Sequence, residues 1–203
     1  MDDSEEVDQW YDRKSTMMEE YLGPEHDMVM HALIPFSVGG GLDLYYYPSG
    51  ITGTAIATKE LSPIPGEGSS NDCFENYELV MFTKHAIDLD GVPNGDNDFA
   101  KAHQIINAIL NLIARYSLEA NLNPAETCGF PKDMETVGGR CLIFDAYPPE
   151  RAGDETEFGL LLIVEVFKSE MRFAMKNGGA KLLKRLKSKG FYPYSDLDRE
   201  PVA

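Results

Sequence analysis

An α+β fold follows from three features of the sequence. Short segments rich in β-branched and aromatic residues are set off by Gly and Pro, one strongly amphipathic helix lies in mid-chain, and strands and helices do not alternate regularly. The expected architecture is a mixed, largely antiparallel sheet flanked by helices, a single-domain sandwich. A chain of 203 residues, 43% hydrophobic, can bury one sizeable core but is short for two ordinary domains. Residues 1–24 are expected to form an N-terminal helix and residues 25–203 the α+β body, the two making one folding unit.

In chain order, Ser4 can cap a helix whose first turn carries Glu5 and Glu6. Val7, Trp10, Tyr11, Met18, Tyr21 and Leu22 then recur at helical spacing until Gly23-Pro24 stops it. Met28 to Phe36, Leu42 to Tyr47 and Thr52 to Thr58 read as strands of an antiparallel meander, with Gly39-Gly40-Gly41 as a flexible connection. Pro63, Pro65, Gly66, Gly68, Ser69 and Ser70 make Leu61 to Asn76 a mobile surface loop, and Tyr77 to Phe82 returns to the sheet. Asp98 is placed to cap the helix carrying Phe99, Ala102, Ile105, Ile106, Ile109, Leu110, Ile113 and Tyr116, which Asn123-Pro124 ends. Cys141 to Phe144 and Gly159 to Phe167 follow as strands, the second buried on both faces because its apolar run does not alternate. Lys168 to Lys176 and Ala180 to Lys189 close the chain as helices interrupted at Asn177-Gly178-Gly179.

The net charge of −16 argues against nucleic acid, whose affinity comes largely from Lys and Arg, and suits a basic protein partner. Residues 1–100 hold twenty acids and four bases, while residues 168–203 hold four acids and nine bases. That basic end reads as complementing an acidic body, with a separate anion-binding surface as the alternative. An acidic rather than basic-then-apolar N-terminus, and no run of about 20 apolar residues, predict a cytoplasmic protein with no membrane segment. Cys73, Cys128 and Cys141 are odd in number and widely spaced, which fits neither a disulfide framework nor a metal knuckle.

Chemistry-bearing motifs are not met. The segment from Asp88 to Asp98 resembles a calcium loop, yet Val92, Pro93 and Phe99 occupy positions that need a ligand, a Gly and a Glu. His26, His31, His85 and His103 have no spacing that sets two imidazoles on one metal. Ser49 and Ser69 lack the Gly-x-Ser-x-Gly elbow, and Gly39 to Gly41 lacks the residues of a phosphate or dinucleotide loop. No catalytic residue, metal or cofactor is therefore expected. Candidate partner-binding residues are Tyr45, Tyr46 and Tyr47, read as core packing or as a partner-facing aromatic patch, and the acids Glu67, Asp72, Asp88, Asp90 and Asp96 in turn-rich stretches.

Several strings resemble the suppressor of fused (SUFU) domain family. In the C-terminal third these are Val166-Phe167, Glu170-Met171-x-Phe173, Gly179-Ala180, Leu182-Leu183-x-x-Leu186 and Asp198-Arg199-x-Pro201-Val202. Upstream, Tyr45-Tyr46-Tyr47 with Thr54 to Thr58 and Leu61-Ser62, then Tyr77 to Met81, are similar to that family's strands. Lys59-Glu60 departs from its usual Gly-Met, and Trp10 is the only Trp where many members are Trp-rich. The resemblance implies a noncatalytic sandwich that holds a partner protein. Stand-alone bacterial members look like toxin-neutralising immunity proteins. A small enzyme with an unrecognised site and a regulatory scaffold module are the alternatives.

Overall fold

The computed structural model describes residues 3–148 and 156–203, with the side chains of Asp3 and Ser4 outside the description. Its strands are β1 (Val29–Met30), β2 (Leu44–Tyr47), β3 (Thr54–Ala57), β4 (Phe74–Thr83), β5 (Thr127–Gly129), β6 (Cys141–Tyr147) and β7 (Thr156–Val166). The helices are α1 (Asp3–Leu22), α2 (Asp98–Ser117), α3 (Lys168–Asn177) and α4 (Gly179–Ser188). The strands form one open sheet in the order β1-β2-β3-β4-β7-β6-β5. Neighbours are antiparallel except for the central pair β4 and β7, whose parallel register runs from Phe74 opposite Thr156 to Val80 opposite Leu162.

The two-residue period of a strand divides this sheet into two cores. Tyr46, Ile56, Leu79, Phe144, Leu161 and Ile163 pack with Ile106, Ile109, Leu110 and Ile113 of α2. Tyr45, Tyr47, Val80, Ile143, Leu160 and Leu162 pack with Trp10 and Met18 of α1, Ala174 of α3 and Leu182 and Leu186 of α4. The expected sandwich is therefore three layers, with α2 on one face and α1, α3 and α4 on the other among the described residues. Cover on both faces explains why β7 reads as a continuous apolar run.

Several local expectations are corrected. The cap of α2 is Asn97, whose side chain accepts from Ala100 N at 2.6 Å, while Asp98 is the first helical residue. The helix ends at Ser117 and not at Asn123-Pro124. The Ser117 hydroxyl donates to Ala114 O and meets Ser69 Oγ, both at 2.8 Å, which closes the last turn against a neighbouring loop. Tyr116, expected on the buried stripe, is exposed. In α1 the buried row is Trp10, Lys14, Met18 and Leu22, while Val7 and Tyr11 are largely exposed. Ser4 falls inside that helix, and its expected capping role lies outside the described residues.

Of the expected loop from Leu61 to Asn76, Phe74 to Asn76 belong to β4, and the remainder is hydrogen-bonded to that strand at several points. Glu78 of β4, fully buried, accepts from Leu61 N, Ser62 N and the hydroxyls of Thr58 and Ser62 at 2.6–3.1 Å. Asn76 Oδ1 accepts from Gly66 N at 2.7 Å, and Asn76 Nδ2 donates to Glu67 O at 2.6 Å. The Pro and Gly content describes a turn-rich path, and buried polar side chains on the adjacent strand fix that path.

Candidate functional site

Tyr45, Tyr46 and Tyr47 do not make an exposed aromatic patch, because all three are buried. Tyr46 meets His103 Nε2 at 2.9 Å under α2, Tyr47 donates to Glu25 Oε2 at 2.8 Å, and Tyr45 lies beneath the Lys59 ammonium, 4.6 Å from its ring centre. Burial pushes all three phenols well above their usual value. Helices on both faces, rather than on one, remove the surface that alternation alone would leave open. Glu67, Asp72, Asp88, Asp90 and Asp96 are all exposed. They fall into two groups at opposite ends of α2: Asp72 N donates to Asn123 Oδ1 beyond its C-terminus, and Asp88 O accepts from the capping Asn97. A helix of 20 residues separates the groups by about 30 Å.

The surface that stands out is the loop between β1 and β2, where strand is expected over Met28 to Phe36 and from Leu42. Pro35 inside that run and three glycines after it are the signals against a regular strand. The loop is held at many points. Asp43 Oδ1 accepts from Ala32 N at 2.8 Å and its other oxygen meets His31 Nδ1 at 2.7 Å. Leu42 N donates to Asn111 Oδ1 at 2.9 Å, and Arg115 Nη2 donates to the carbonyls of Gly39 and Gly40 at 3.3 and 2.9 Å. Gly41 N returns to Ile34 O at 3.0 Å, and a Cβ on Gly40 would stand 1.8 Å from that oxygen, so only glycine fits there. Phe36 and Met30 anchor the loop on the α2 core. With its backbone fixed in this way, the loop turns Leu33, Ile34 and Val38 outward at 103, 59 and 72% exposure. Leu118, also exposed, stands one turn beyond Arg115 on the same side of α2.

A second feature is a cleft of about 430 Å³ between the first half of α2 and the C-terminal segment, at the carboxyl ends of β4 and β7. Its polar lining includes Thr83, His85, Arg140, Glu165, Ser195 and Asp196. Arg140 Nη1 pairs with Glu165 Oε1 at 2.6 Å. Burial is the main influence raising the Glu165 carboxyl, opposed by Arg140 and reinforced by Asp196. No motif marks these residues, although a glutamate inside the apolar run Gly159 to Phe167 is a signal, since a charge in a strand covered on both faces needs a partner. Among the described residues no group of three His, Cys, Asp or Glu is placed to hold a metal ion, and no helix is long and apolar enough to cross a membrane.

This topology is that of the suppressor of fused fold, in agreement with the resemblance of the sequence. A chain of the Sufu-Fu complex crystal structure superposes with a TM-score of 0.60 at 15% identity, over 97% of this chain and 92% of that one. A SUFU (suppressor of fused protein) homolog from Neisseria gonorrhoeae FA 1090 gives 0.58 at 10% identity, over 96% of this chain and 97% of the other. Drosophila Suppressor of Fused gives 0.54 at 13% identity over 90% of this chain, which spans 47% of that longer protein. No protein-family model and no curated protein sequence matches the chain. At such identities the likeness is one of fold.

Proposed function

We propose that this chain is a noncatalytic protein-binding domain of the suppressor of fused type, and that its partner is a basic protein with an apolar cleft. The observation that carries the reading is the loop between β1 and β2, where a backbone fixed by Asp43, Asn111 and Arg115 presents Leu33, Ile34 and Val38 to solvent. Apolar side chains on a rigid support lose little entropy on docking and form the usual centre of a protein interface. The net charge of −16 supplies long-range attraction for a basic partner and repels nucleic acid and anionic lipid alike. The Sufu-Fu complex gives a precedent for a protein partner on this fold. Among basic partners the reading favours a toxin whose working surface the domain covers.

The test is photo-crosslinking from a benzoylphenylalanine placed at Val38, followed by binding of the purified crosslinked protein to the native chain and to a Leu33→Asp, Ile34→Asp double variant. An affinity loss of at least ~30-fold with an unchanged melting temperature is expected, from a hot-spot contribution of about 2 kcal/mol or more. Equal affinity for the double variant would remove the loop from the interface. Co-expression with the product of the neighbouring gene tests the toxin reading separately: relief of growth arrest supports it, and arrest that persists removes it.

A further inference from the structure

β4 and β7 pair side by side as far as Val80 and Leu162, and the C-terminal segment lies between their ends. Ser195 N donates to Phe82 O at 2.8 Å, and the Ser195 hydroxyl donates to Ile163 O and accepts from Glu165 N, both at 3.2 Å. This places Asp196 beside Glu165 in the cleft described above, facing Ala102, Ile105 and Ile106 of α2. The side chains of Glu165 and Asp196 are 5 and 8% exposed.

The charges in the cleft do not cancel. Arg140 is matched by Glu165, Lys101 by Asp98 at 3.2 Å, and Asp198 by Lys84. Asp196 accepts from the Thr83 hydroxyl at 2.8 Å and from Lys84 N at 2.9 Å, but its one ion-pair partner among the described residues is His85 Nε2 at 3.4 Å, charged only when protonated. A carboxylate this well covered ordinarily has a full counter-charge, and here a second carboxylate faces the same space. Ala102, Ile105, Ile106 and Leu197 supply an apolar wall next to the pair. A metal ion would need three or more converging ligands and has no use for that wall. A long side chain with an apolar stem and a cationic head uses both.

We propose that this cleft is a recognition pocket for one basic side chain, an arginine or a lysine, of the bound protein. Its head pairs with Asp196, beside the Arg140–Glu165 pair, and its stem lies on Ala102, Ile105 and Leu197. The inference deepens the protein-binding reading and is tested without the partner. The amide resonances of the native chain would be followed during titration with Nα-acetylarginine amide, Nα-acetyllysine amide, the neutral isostere Nα-acetylcitrulline amide and inorganic phosphate. Saturable shifts at Ala102, Ser195 and Asp196 are expected with either cation and with neither control. Asp196→Asn should weaken binding at least tenfold. Ala102→Phe should abolish it by filling the cleft while sparing the bonds of Asp196, which guards against a fold effect of the first variant. Citrulline binding as well as arginine, phosphate producing the same shifts, no saturable shift with either cation, or arginine bound equally by both variants would each overturn the proposal. None of these outcomes bears on the loop of Leu33 and Ile34, whose test needs the partner itself.

Discussion

Arg199 shows how one side chain fixes the end of this molecule. Its guanidinium makes two bonds to the carboxylate of Glu170, at 2.7 and 2.9 Å, and lies 5.0 Å from the ring centres of Phe167 and Phe191. The same carboxylate accepts from Phe167 N and Val202 N, both at 2.8 Å, so it joins the start of α3 to the C-terminal segment. Burial alone would raise the Glu170 carboxyl, but the bonds from Arg199, Val202 and Phe167 outweigh it and hold it below the ordinary value of 4.5. A depressed carboxyl stabilises the fold above its unfolded value and ceases to do so as pH falls through the folded one. Arg199→Ala, which strands a buried carboxylate, should cost about 3–5 kcal/mol at pH 7. The gap in melting temperature from the native protein should narrow below pH 4.5, the unfolded value of Glu170; a gap that stays constant with pH would show that lost packing, not charge, is responsible. His103 behaves in the opposite chemical sense. Burial lowers its imidazole from 6.5 to about 4. The unfolded chain therefore takes up a proton between those two values while the fold does not, so this group makes stability fall as pH drops through that window. Nitrogen chemical shifts of the ring should stay those of neutral imidazole at pH 5, and protonation near 6.5 would mean that the ring is solvated.

Among the elements, α1 is held by a charge where its sequence suggested only an apolar stripe. Lys14 lies in the i, i+4 row between Trp10 and Met18, and its ammonium pairs with Glu78 Oε1 at 3.0 Å while donating to Lys59 O and Ser62 O at 2.7 and 2.9 Å. Both side chains are buried, so Lys14→Met should cost about 3–5 kcal/mol, because it leaves Glu78 without its cation. Hydrogen exchange should quicken both in α1 and in the stretch from Leu61 to Ser69, which shares Glu78. Unchanged exchange in that stretch would separate the two. On the other face, Ile109 is fully buried between α2 and the sheet, and Ile109→Ala should lower unfolding free energy by about 2–5 kcal/mol in a urea titration. The existence of α2 and its buried face are legible because an apolar stripe at helical period has one physical use. Its ends are less so: Asn97 and Asp98 cap about equally well, and Ser117 stops the helix through a contact with Ser69, distant in the chain.

For the molecule as a whole, the acids expected to face a partner lie at two places and not along one rim. Glu67 and Asp72 lie near one end of α2 and Asp88, Asp90 and Asp96 near the other, a separation of about 30 Å against a screening length of about 8 Å at physiological salt. Reversing one group should slow association with the crosslinked partner and flatten its salt dependence only if that end of α2 faces the partner, and reversing the other should then have little effect. Equal effects of both would require an interface that spans the whole helix. The sequence by itself determined the α+β class, the strands β2, β3, β6 and β7 and the later part of β4, the helices, the acidity and the likeness to the suppressor of fused fold, because periodicity, composition and local strings are properties of neighbouring residues. Only the tertiary structure decided that three tyrosines in a row are buried on both sides, that Glu78 ties a turn-rich stretch to α1, that Leu33, Ile34 and Val38 stand outside the core, and that Asp196 meets Glu165 in a cleft. Each of these depends on residues far apart in the chain arriving at one point. Burial, charge balance and exposure are set by that arrival, and no local pattern of amino acids carries it.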